Sequence, residues 1–184
     1  MSKTSTKLHL EILDTERKKI FFALDKYKKY GFLAGGTALA LQLNHRISYD
    51  FDIFCYSKIS DMLVRKIKQD FKIKSIEINN EDEFSFTANK NTKITFLYYP
   101  FEFPEKLIKP ERGISLLNIL NIGAAKAYTM NRRAAYRDYI DLYFIVKNGE
   151  KSLKKIIQRA EKIYKNMFNA KLFLGQLTYD RDLN

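Results

Sequence analysis

Cysteine and histidine are scarce in this 184-residue chain, which contains one cysteine, Cys55, and two histidines. A single cysteine cannot form a disulfide within the chain, so the sequence favours a reducing compartment and we expect a cytoplasmic protein. With so few thiol and imidazole side chains, the sequence also argues against a zinc site, which usually takes four such ligands.

Long apolar runs are also lacking. Polar or charged residues interrupt every stretch that could cross a membrane, so we expect no membrane partner. Residues 1–6 are short and polar, and no apolar signal-peptide region follows them. The length suits one domain, or one domain with a helical appendage, and is sufficient for a buried core.

Negative charge is in the minority, because 33 lysines and arginines face 21 acidic residues and give a formal net charge of +12. Two interpretations stay open: a solvated surface of scattered lysines, or a surface that contacts a polyanion. In both cases the positive excess favours the approach of phosphates by raising their local concentration. The charge alone does not choose between nucleotide, RNA and DNA.

The spacing of apolar residues predicts an α/β first half. Residues 8–30 show helical spacing, and we expect Gly31 to end this region as a C-cap glycine. Residues 60–71 form a further predicted helix, with Ser60 as its N-cap and Met62 among its inward residues. Polar turns separate three predicted strands, at residues 73–78, 83–87 and 93–98.

The second half of the chain has a helical pattern. A proline-punctuated connector at residues 100–110 separates the halves. After it we predict helices at residues 118–130, 134–146 and 153–167, and a short apolar segment at 170–177 that begins as a helix. The predicted organisation is an α/β core, residues 1–110, with a helical half, residues 111–184, packed on it in a single compact unit.

Residues 31–56 carry the most informative local pattern, which predicts strand, glycine turn, short helix and strand. Asp50 and Asp52 are two positions apart on the second strand, so their side chains are expected on the same face. Two adjacent carboxylates are costly unless water or a cation accommodates them, and a divalent metal is a common partner. Solvated aspartates on an edge strand are the alternative, but the neighbouring apolar residues Phe51 and Ile53 favour a buried strand.

The glycine turn of this stretch is Gly35-Gly36, and Thr37 follows it. Glycines allow a backbone to approach a triphosphate closely, and a helix that starts there supplies amide groups and the positive end of its dipole. The Thr37 hydroxyl is a further donor for the same phosphates. A Gly-Gly pair alone is usually an ordinary turn, so the downstream Asp-x-Asp carries the interpretation.

With thirteen residues between Gly36 and Asp50, the sequence GGTALALQLNHRISYDFDIF resembles the AbiEii/AbiGii toxin family of polymerase-beta-type nucleotidyltransferases. A lysine on a later helix, here Lys126, and the motif Arg137-Asp138-Tyr-Ile-Asp141 on the next helix are similar to that family too, as is the tail FLGQLTYDRDLN. The resemblance implies an α+β fold, in which a polymerase-beta-like core with a small mixed sheet is followed by a C-terminal helical bundle.

The resemblance also implies roles for particular residues. It implies a Mg²⁺ (or Mn²⁺) ion on Asp50 and Asp52, and an NTP as substrate. It implies nucleotide binding by Gly35, Gly36, Thr37, Arg46 and Lys126, catalytic roles for Asp50, Asp52, Lys126 and Asp138, and supporting roles for Ser48, Arg137 and Asp141.

Several of these residues have structural alternatives. Arg46 could contact nucleotide or stabilise the C-terminus of the short helix. Arg137 and Asp141 are spaced to pair with each other, and Asp138 and Asp141 share a helix face, so a salt-bridge network between helices stays open. Ser48 could bond to its own turn instead of to phosphate.

Thr95 marks a departure from the pattern of the resemblance. Polymerase-beta-type enzymes commonly carry a third carboxylate on a later central strand, and the predicted strand at residues 93–98 presents Thr95 there. Asp138 would have to take over this role, or catalysis would be weakened.

The resemblance implies a toxin of a type IV toxin–antitoxin or abortive-infection system, which transfers NMP to a hydroxyl of RNA or tRNA and is neutralised by a cognate antitoxin. One alternative keeps the chemistry but uses a small molecule or a protein side chain as acceptor. Another is a catalytically lapsed binding module of the same fold.

Overall fold

The structure is a computed structural model that describes residues 7–104, 106–133, 135–147, 149 and 151–178. These residues fall into two compact units, one within Met1–Pro100 and Leu107–Leu117 and the other within Phe101–Lys106 and Asn118–Asn184. The predicted boundary after residue 110 lies within the Leu107–Leu117 segment of the first unit. That the two halves form a single compact unit stays a prediction.

The first unit is built on one five-stranded sheet with strand order β1-β2-β5-β4-β3. Strands β2 and β5 are parallel and the other neighbours are antiparallel, so the predicted small mixed sheet is confirmed. The strands are β1 (Gly31–Ala34), β2 (Phe51–Cys55), β3 (Ser75–Asn79), β4 (Glu83–Thr87) and β5 (Lys93–Tyr98).

Three α-helices accompany this sheet: α1 (Thr15–Ala23), α2 (Gly35–Leu43) and α3 (Asp61–Asp70). Helix α1 lies between 3-10 helices at Leu10–Ile12 and Leu24–Tyr27, so the helical pattern predicted for residues 8–30 is divided into short pieces. Ser60 caps α3 as predicted, because its hydroxyl accepts from the amide of Leu63.

Two predictions in this unit are wrong. Gly31 does not end a helix but begins β1, where a Cβ would lie 2.2 Å from the carbonyl oxygen of Phe54. Glycine is therefore needed for close strand pairing. Met62 is 74% exposed, whereas Val64 is buried, because the inward stripe of α3 is centred between Leu63 and Ile67.

The far edge of β1 is covered by an extended segment of the same unit. The amide of Leu33 donates to Ser115, and the amide of Leu117 donates to Leu33, both at 2.8 Å. The side chain of Gln42 on α2 donates to Leu117 at 2.9 Å. These bonds hold β1 and α2, and thus the turn between them, in a fixed position.

The second unit is a helical bundle, as predicted. Its helices are α4 (Ile119–Met130), α5 (Tyr136–Lys147), α6 (Leu153–Tyr164) and α7 (Ala170–Leu177). Gly123 lets α4 approach α6, because a Cβ there would lie 3.2 Å from the Ile156 side chain. Tyr128 of α4 stacks on Tyr164 of α6 with ring centroids 3.9 Å apart. Ala134, the predicted start of α5, and residues 179–184 of the tail lie outside the described residues.

Across the described ranges, no helix combines the length and apolarity needed to span a membrane.

Candidate functional site

The turn between β1 and α2 lies directly against the start of β2. The antiparallel register pairs Ala34, the last residue of β1, with Asp52. The next residue, Gly35, has a φ of +65°, and a Cβ there would lie 2.4 Å from Oδ2 of Asp52. Only glycine meets both constraints, so the start of α2 and one carboxylate are brought into contact.

The loop after α2 folds back onto the start of the same helix. A Cβ on Gly36 would lie 2.4 Å from Nη2 of Arg46 and 3.3 Å from Oγ of Ser48. Helix α2 ends at Leu43 and is followed by Asn44, which has left-handed backbone angles. The approach to Gly36 places the guanidinium near the N-terminus of this helix rather than near its C-terminus. A guanidinium and a helix N-terminus side by side are two positive groups that suit a phosphate.

The Thr37 side chain is buried, and it ties this loop to the strand that follows. Its hydroxyl donates to the backbone carbonyl of Asp50 and lies 2.8 Å from the hydroxyl of Ser48. Because a hydroxyl has a single proton, the Ser48 hydroxyl is the donor in the second bond. Thr37 and Ser48 thus fix the backbone next to Asp50, and nucleotide binding by Thr37 stays a prediction.

The two carboxylates of the Asp-x-Asp motif lie at the start of β2. Asp50 and Asp52 are half-buried, while Phe51 between them is fully buried. Oδ1 of Asp50 accepts from the amide of Lys93 at 3.3 Å. Asp52 is adjacent to Thr95 in the parallel β2–β5 register. Thr95 therefore lies beside the motif, at the position where the resemblance implies a third carboxylate.

The two carboxylates at β2 are oxygen donors of the kind that a magnesium-type ion takes. No group of three or more His, Cys, Asp or Glu side chains converges anywhere in the described part of the chain. Mg²⁺ commonly takes one or two carboxylates and completes its shell with phosphate and water. Asp50 and Asp52 would supply oxygen ligands for such an ion, and this metal site stays a prediction.

Arg17 is a residue near this site that the sequence interpretation missed. It is only 9% exposed and pairs with Asp14. Its guanidinium donates to the carbonyls of Tyr49 at 3.4 Å and Lys90 at 3.3 Å, and lies 4.3 Å from the Tyr49 ring centroid. Arg17 therefore joins the segment that precedes Asp50 to the loop that precedes β5.

The sequence contains a pattern that indicates the buried position of Arg17. Around α1 the buried apolar residues are Leu13, Ile20, Phe21 and Leu24. Arg17 stands four positions after Leu13 and three before Ile20, which is within this apolar stripe. A cation in such a stripe indicates a buried polar anchor, since it needs hydrogen-bond acceptors.

The single cysteine of the chain has a thiol of low reactivity. Cys55 is buried at the end of β2, and burial raises the pKa of its thiol to about 12. A thiol that stays protonated at neutral pH is a poor nucleophile.

The predicted residues of the second unit form a buried charge cluster. Nζ of Lys126 on α4 lies 2.7 Å from Oδ1 of Asp138 and 2.7 Å from Oδ2 of Asp141, both on α5. Lys126 and Asp138 are buried, and Asp141 is fully buried. The salt-bridge network between helices, which the spacing left open, is therefore present.

Arg137 does not join this cluster. Its side chain is exposed, while Asp141 is fully buried against Lys126, so the pairing of Arg137 with Asp141 that their spacing allows is not formed. The reason is rotational: Asp138 and Asp141, three positions apart, share the face of α5 that meets α4, and Arg137 is turned outward. Oδ2 of Asp138 is buried and has no hydrogen-bond partner among the described residues.

The predicted site residues thus fall into two groups that the structure describes separately. One group, in the first unit, consists of Gly35, Gly36, Thr37, Arg46, Ser48, Asp50 and Asp52. The other, in the second unit, consists of Lys126, Asp138 and Asp141.

Comparison with known proteins supports the fold. No protein-family model matches the chain. An uncharacterized protein of Aquifex aeolicus, aq_aa25, is 27% identical over an alignment that covers 87% of this chain and 81% of the relative. That relative carries no functional information.

Solved structures show the fold. Helicobacter pylori JHP933 matches with a TM-score of 0.57 at 19% identity, over 92% of this chain and 90% of that one. MenT4, a nucleotidyltransferase toxin of Mycobacterium tuberculosis H37Rv, matches with a TM-score of 0.52 at 11% identity, over 92% and 82%. The Megavirus polyadenylate synthase matches with a TM-score of 0.50 at 14% identity, over 73% of this chain and 32% of that enzyme. The chain therefore has the α+β fold of the nucleotidyltransferases, with a polymerase-beta-like core and a C-terminal helical bundle.

Proposed function

We propose that this chain is a metal-dependent nucleotidyltransferase that transfers NMP from an NTP to an acceptor hydroxyl of RNA. The observation that carries the proposal is the contact between Gly35, at the N-terminus of α2, and the carboxylate of Asp52. A glycine turn of the kind that binds phosphate and a carboxylate of an Asp-x-Asp motif meet there in a nucleotidyltransferase fold. That combination provides phosphate-binding amides and a metal-binding carboxylate for a nucleoside triphosphate and its ion.

In the proposed reaction the acceptor oxygen bonds to the α-phosphorus of the NTP. The bond from that phosphorus to the bridging oxygen breaks, and pyrophosphate leaves. The amides of Gly35 and Gly36 would bind phosphate oxygens, with the Arg46 guanidinium beside them. Asp50 and Asp52 would hold Mg²⁺ or Mn²⁺, which would supply positive charge to the reacting phosphates.

Lys126 and Asp138 enter the proposal from the resemblance, as a triphosphate ligand and as the carboxylate that would accept the proton of the acceptor hydroxyl. Their present contacts are with each other and with Asp141. Activity measurements on variants of Lys126 and of Asp138 would test these two roles.

The biological part of the proposal is a cytoplasmic toxin of the AbiEii/AbiGii type, which acts on tRNA and has a cognate antitoxin. The MenT4 match supports it, since that fold neighbour is a nucleotidyltransferase toxin. The net charge of +12 is compatible with an RNA acceptor.

The test is a labelling screen. Purified protein is incubated with each of the four α-³²P-labelled NTPs, unfractionated tRNA and Mg²⁺ or Mn²⁺, with EDTA and the Asp52→Asn variant as controls. We expect one or more NTPs to label the tRNA, only with metal and only with the wild-type chain. Label on the protein itself or on an added aminoglycoside, but not on RNA, would instead identify a protein or small-molecule acceptor.

A catalytically lapsed binding module is the second candidate, and Thr95 favours it. Thr95 lies next to Asp52 in the sheet, and a threonine cannot act as a general base. Metal-dependent turnover of any NTP would exclude this candidate. Tight NTP binding by calorimetry without turnover under all conditions of the screen would support it.

A further inference from the structure

A basic groove lies on the second unit, where α6 lies beside the start of α4. It has a volume of about 470 Å³ and is lined by Leu120, Lys151, Lys155, Gln158, Arg159 and Lys162. Four of the six lining residues are cationic and one is apolar. A small apolar ligand is therefore disfavoured, since such ligands bind in pockets with mostly hydrophobic walls.

The cations form a row rather than a point. Lys155, Arg159 and Lys162 are at positions i, i+4 and i+7 of α6 and so share one helix face. From Lys155 to Lys162 the helix rises about 10 Å. Lys151 extends the row beyond the start of the helix. A row of this length exceeds one phosphate group and suits the regularly repeated charges of a polynucleotide.

Three of the four cations in the row have no acidic partner among the described residues. None of Lys151, Lys155 and Lys162 is within ion-pair distance of a described acidic side chain. Like charges held together in a groove repel one another and focus a positive potential. This contrasts with Lys126 of the same unit, which has two carboxylate partners.

Arg159, one cation of the groove, is held in place by a buried side chain of α4. Nη1 of Arg159 donates to Oδ1 of Asn121 at 2.8 Å, and Asn121 is fully buried in α4. The amide of Asn121 in turn donates to the N-cap side chain of Asn118. The guanidinium is therefore fixed against the bundle, which lowers the entropy cost of binding an anion.

We propose that this groove binds the phosphodiester backbone of the RNA acceptor. The inference rests on the proposed function for the identity of the nucleic acid. The groove itself is defined by its own four cations, by its shape and by the Asn121 anchor. Binding here would be sequence-independent and sensitive to salt, because contacts to phosphate carry no base information.

The experiment compares two double variants that lose the same charge. Lys155→Ala with Lys162→Ala removes two exposed cations of the groove, whereas Lys154→Ala with Lys171→Ala removes two exposed lysines outside it. Binding of a fluorescein-labelled tRNA transcript is measured by fluorescence anisotropy between 50 and about 300 mM KCl for each chain. Circular dichroism and thermal midpoints establish that both variants are folded.

We expect the groove variant to bind at least about tenfold more weakly, with a salt slope reduced by about 2, one for each lost phosphate contact. The control variant should change affinity less than about twofold. Equal weakening of both variants would overturn the assignment, because the effect would then come from net charge alone. Unchanged RNA binding with reduced binding of polyglutamate would overturn it in favour of an acidic protein partner.

The labelling screen separates this inference from the function on which it rests. If wild-type protein labels no RNA but the groove variant still loses tRNA affinity, the proposed function fails and the groove assignment stands. If wild-type protein labels tRNA and the groove variant binds tRNA like wild type, the inference fails and the function stands.

Discussion

The acidic side chains of the two predicted groups differ in their burial. In the first unit, Asp50 and Asp52 are half-buried at the start of β2, next to the N-terminal turn of a helix. In the second, Asp138 and Asp141 are buried around Nζ of Lys126, at 2.7 Å each. Buried charge needs a partner inside the protein, whereas half-buried carboxylates can be compensated by an ion or water from outside.

The comparison predicts different consequences for substitutions in the two units. Changes to the β2 carboxylates should affect ligand binding and chemistry more than stability. Changes to the Lys126 cluster should affect stability first. The following predictions test that difference.

The largest effect is expected for Asp52→Asn. An ion bound by this carboxylate supplies several kcal/mol of charge stabilisation, so its loss should lower the rate of NMP transfer by about a thousandfold. The thermal midpoint should change by only a few degrees, because the carboxylate is half-buried. Asp82→Asn, an exposed aspartate of the same unit, is the matched control and should transfer NMP at the wild-type rate. Full activity in the Asp52→Asn chain would remove Asp52 from the site.

Lys126→Met should give the largest loss of stability. It leaves two buried carboxylates without their cation, which should lower the free energy of unfolding by about 3 to 5 kcal/mol in a urea titration. Adding Asp141→Asn should recover part of the loss, because one of the two stranded charges is removed. Lys154→Met, an exposed lysine on α6, serves as control. A loss below about 1 kcal/mol for Lys126→Met would mean that the cluster does not behave as a buried ion network.

A smaller effect should distinguish the two glycines of the β1–α2 turn. Gly35→Ala places a side chain at positive φ and against Asp52, so it should destabilise the chain by about 1 to 3 kcal/mol and reduce NMP transfer. Gly36→Ala meets the end of the Arg46 side chain, which can move aside, so its cost should be smaller. Urea unfolding of both variants measures the order, and the reverse order would contradict the proposed geometry of the turn.

The smallest effect concerns Asp70, a partly exposed acid outside both groups. The hydrogen bond from Lys26, aided by the one from Tyr27, holds the pKa of Asp70 below its ordinary value of 3.8. A lowered folded-state pKa means that this contribution to stability is present above pH 3.8 and is lost as the pH falls further through the folded-state pKa. Because Lys26 is largely exposed, the contribution should be below about 1 kcal/mol.

Unfolding curves of wild type and Asp70→Asn at pH 7 and pH 3 measure the Asp70 contribution. The difference between the two chains should shrink at the lower pH. A difference that grows on acidification would contradict the assigned direction of the pKa.

Much of the fold could be predicted because the informative patterns are local. Strands β4 and β5 begin and end at the predicted residues, since alternation and turn chemistry act over a few positions. The β1–α2–β2 unit was also predictable from Gly35, Gly36 and the Asp-x-Asp spacing. The reactions assigned to these residues remain predictions, because sequence and fold do not measure catalysis.

The errors share a different cause. Gly31 was assigned to a helix end, but its role depends on Phe54, which is 23 positions away in the sequence. The spacing within α5 allows Arg137 to pair with Asp141, yet Asp141 pairs with Lys126 on another helix. Contacts between elements decided both cases, and the spacing within one element does not report them.

The sequence by itself determined the order of the elements, the identity of the carboxylates and the glycines of the turn, because these depend on local backbone preference and side-chain chemistry. Only the tertiary structure decided which charges are compensated internally. It brought Lys126 between two buried carboxylates, left Lys151, Lys155 and Lys162 of the α6 groove without described acidic partners, and fixed Arg17 against the ring of Tyr49. Burial and partner distance set the free energy of a charge, and both arise only when separate elements pack together.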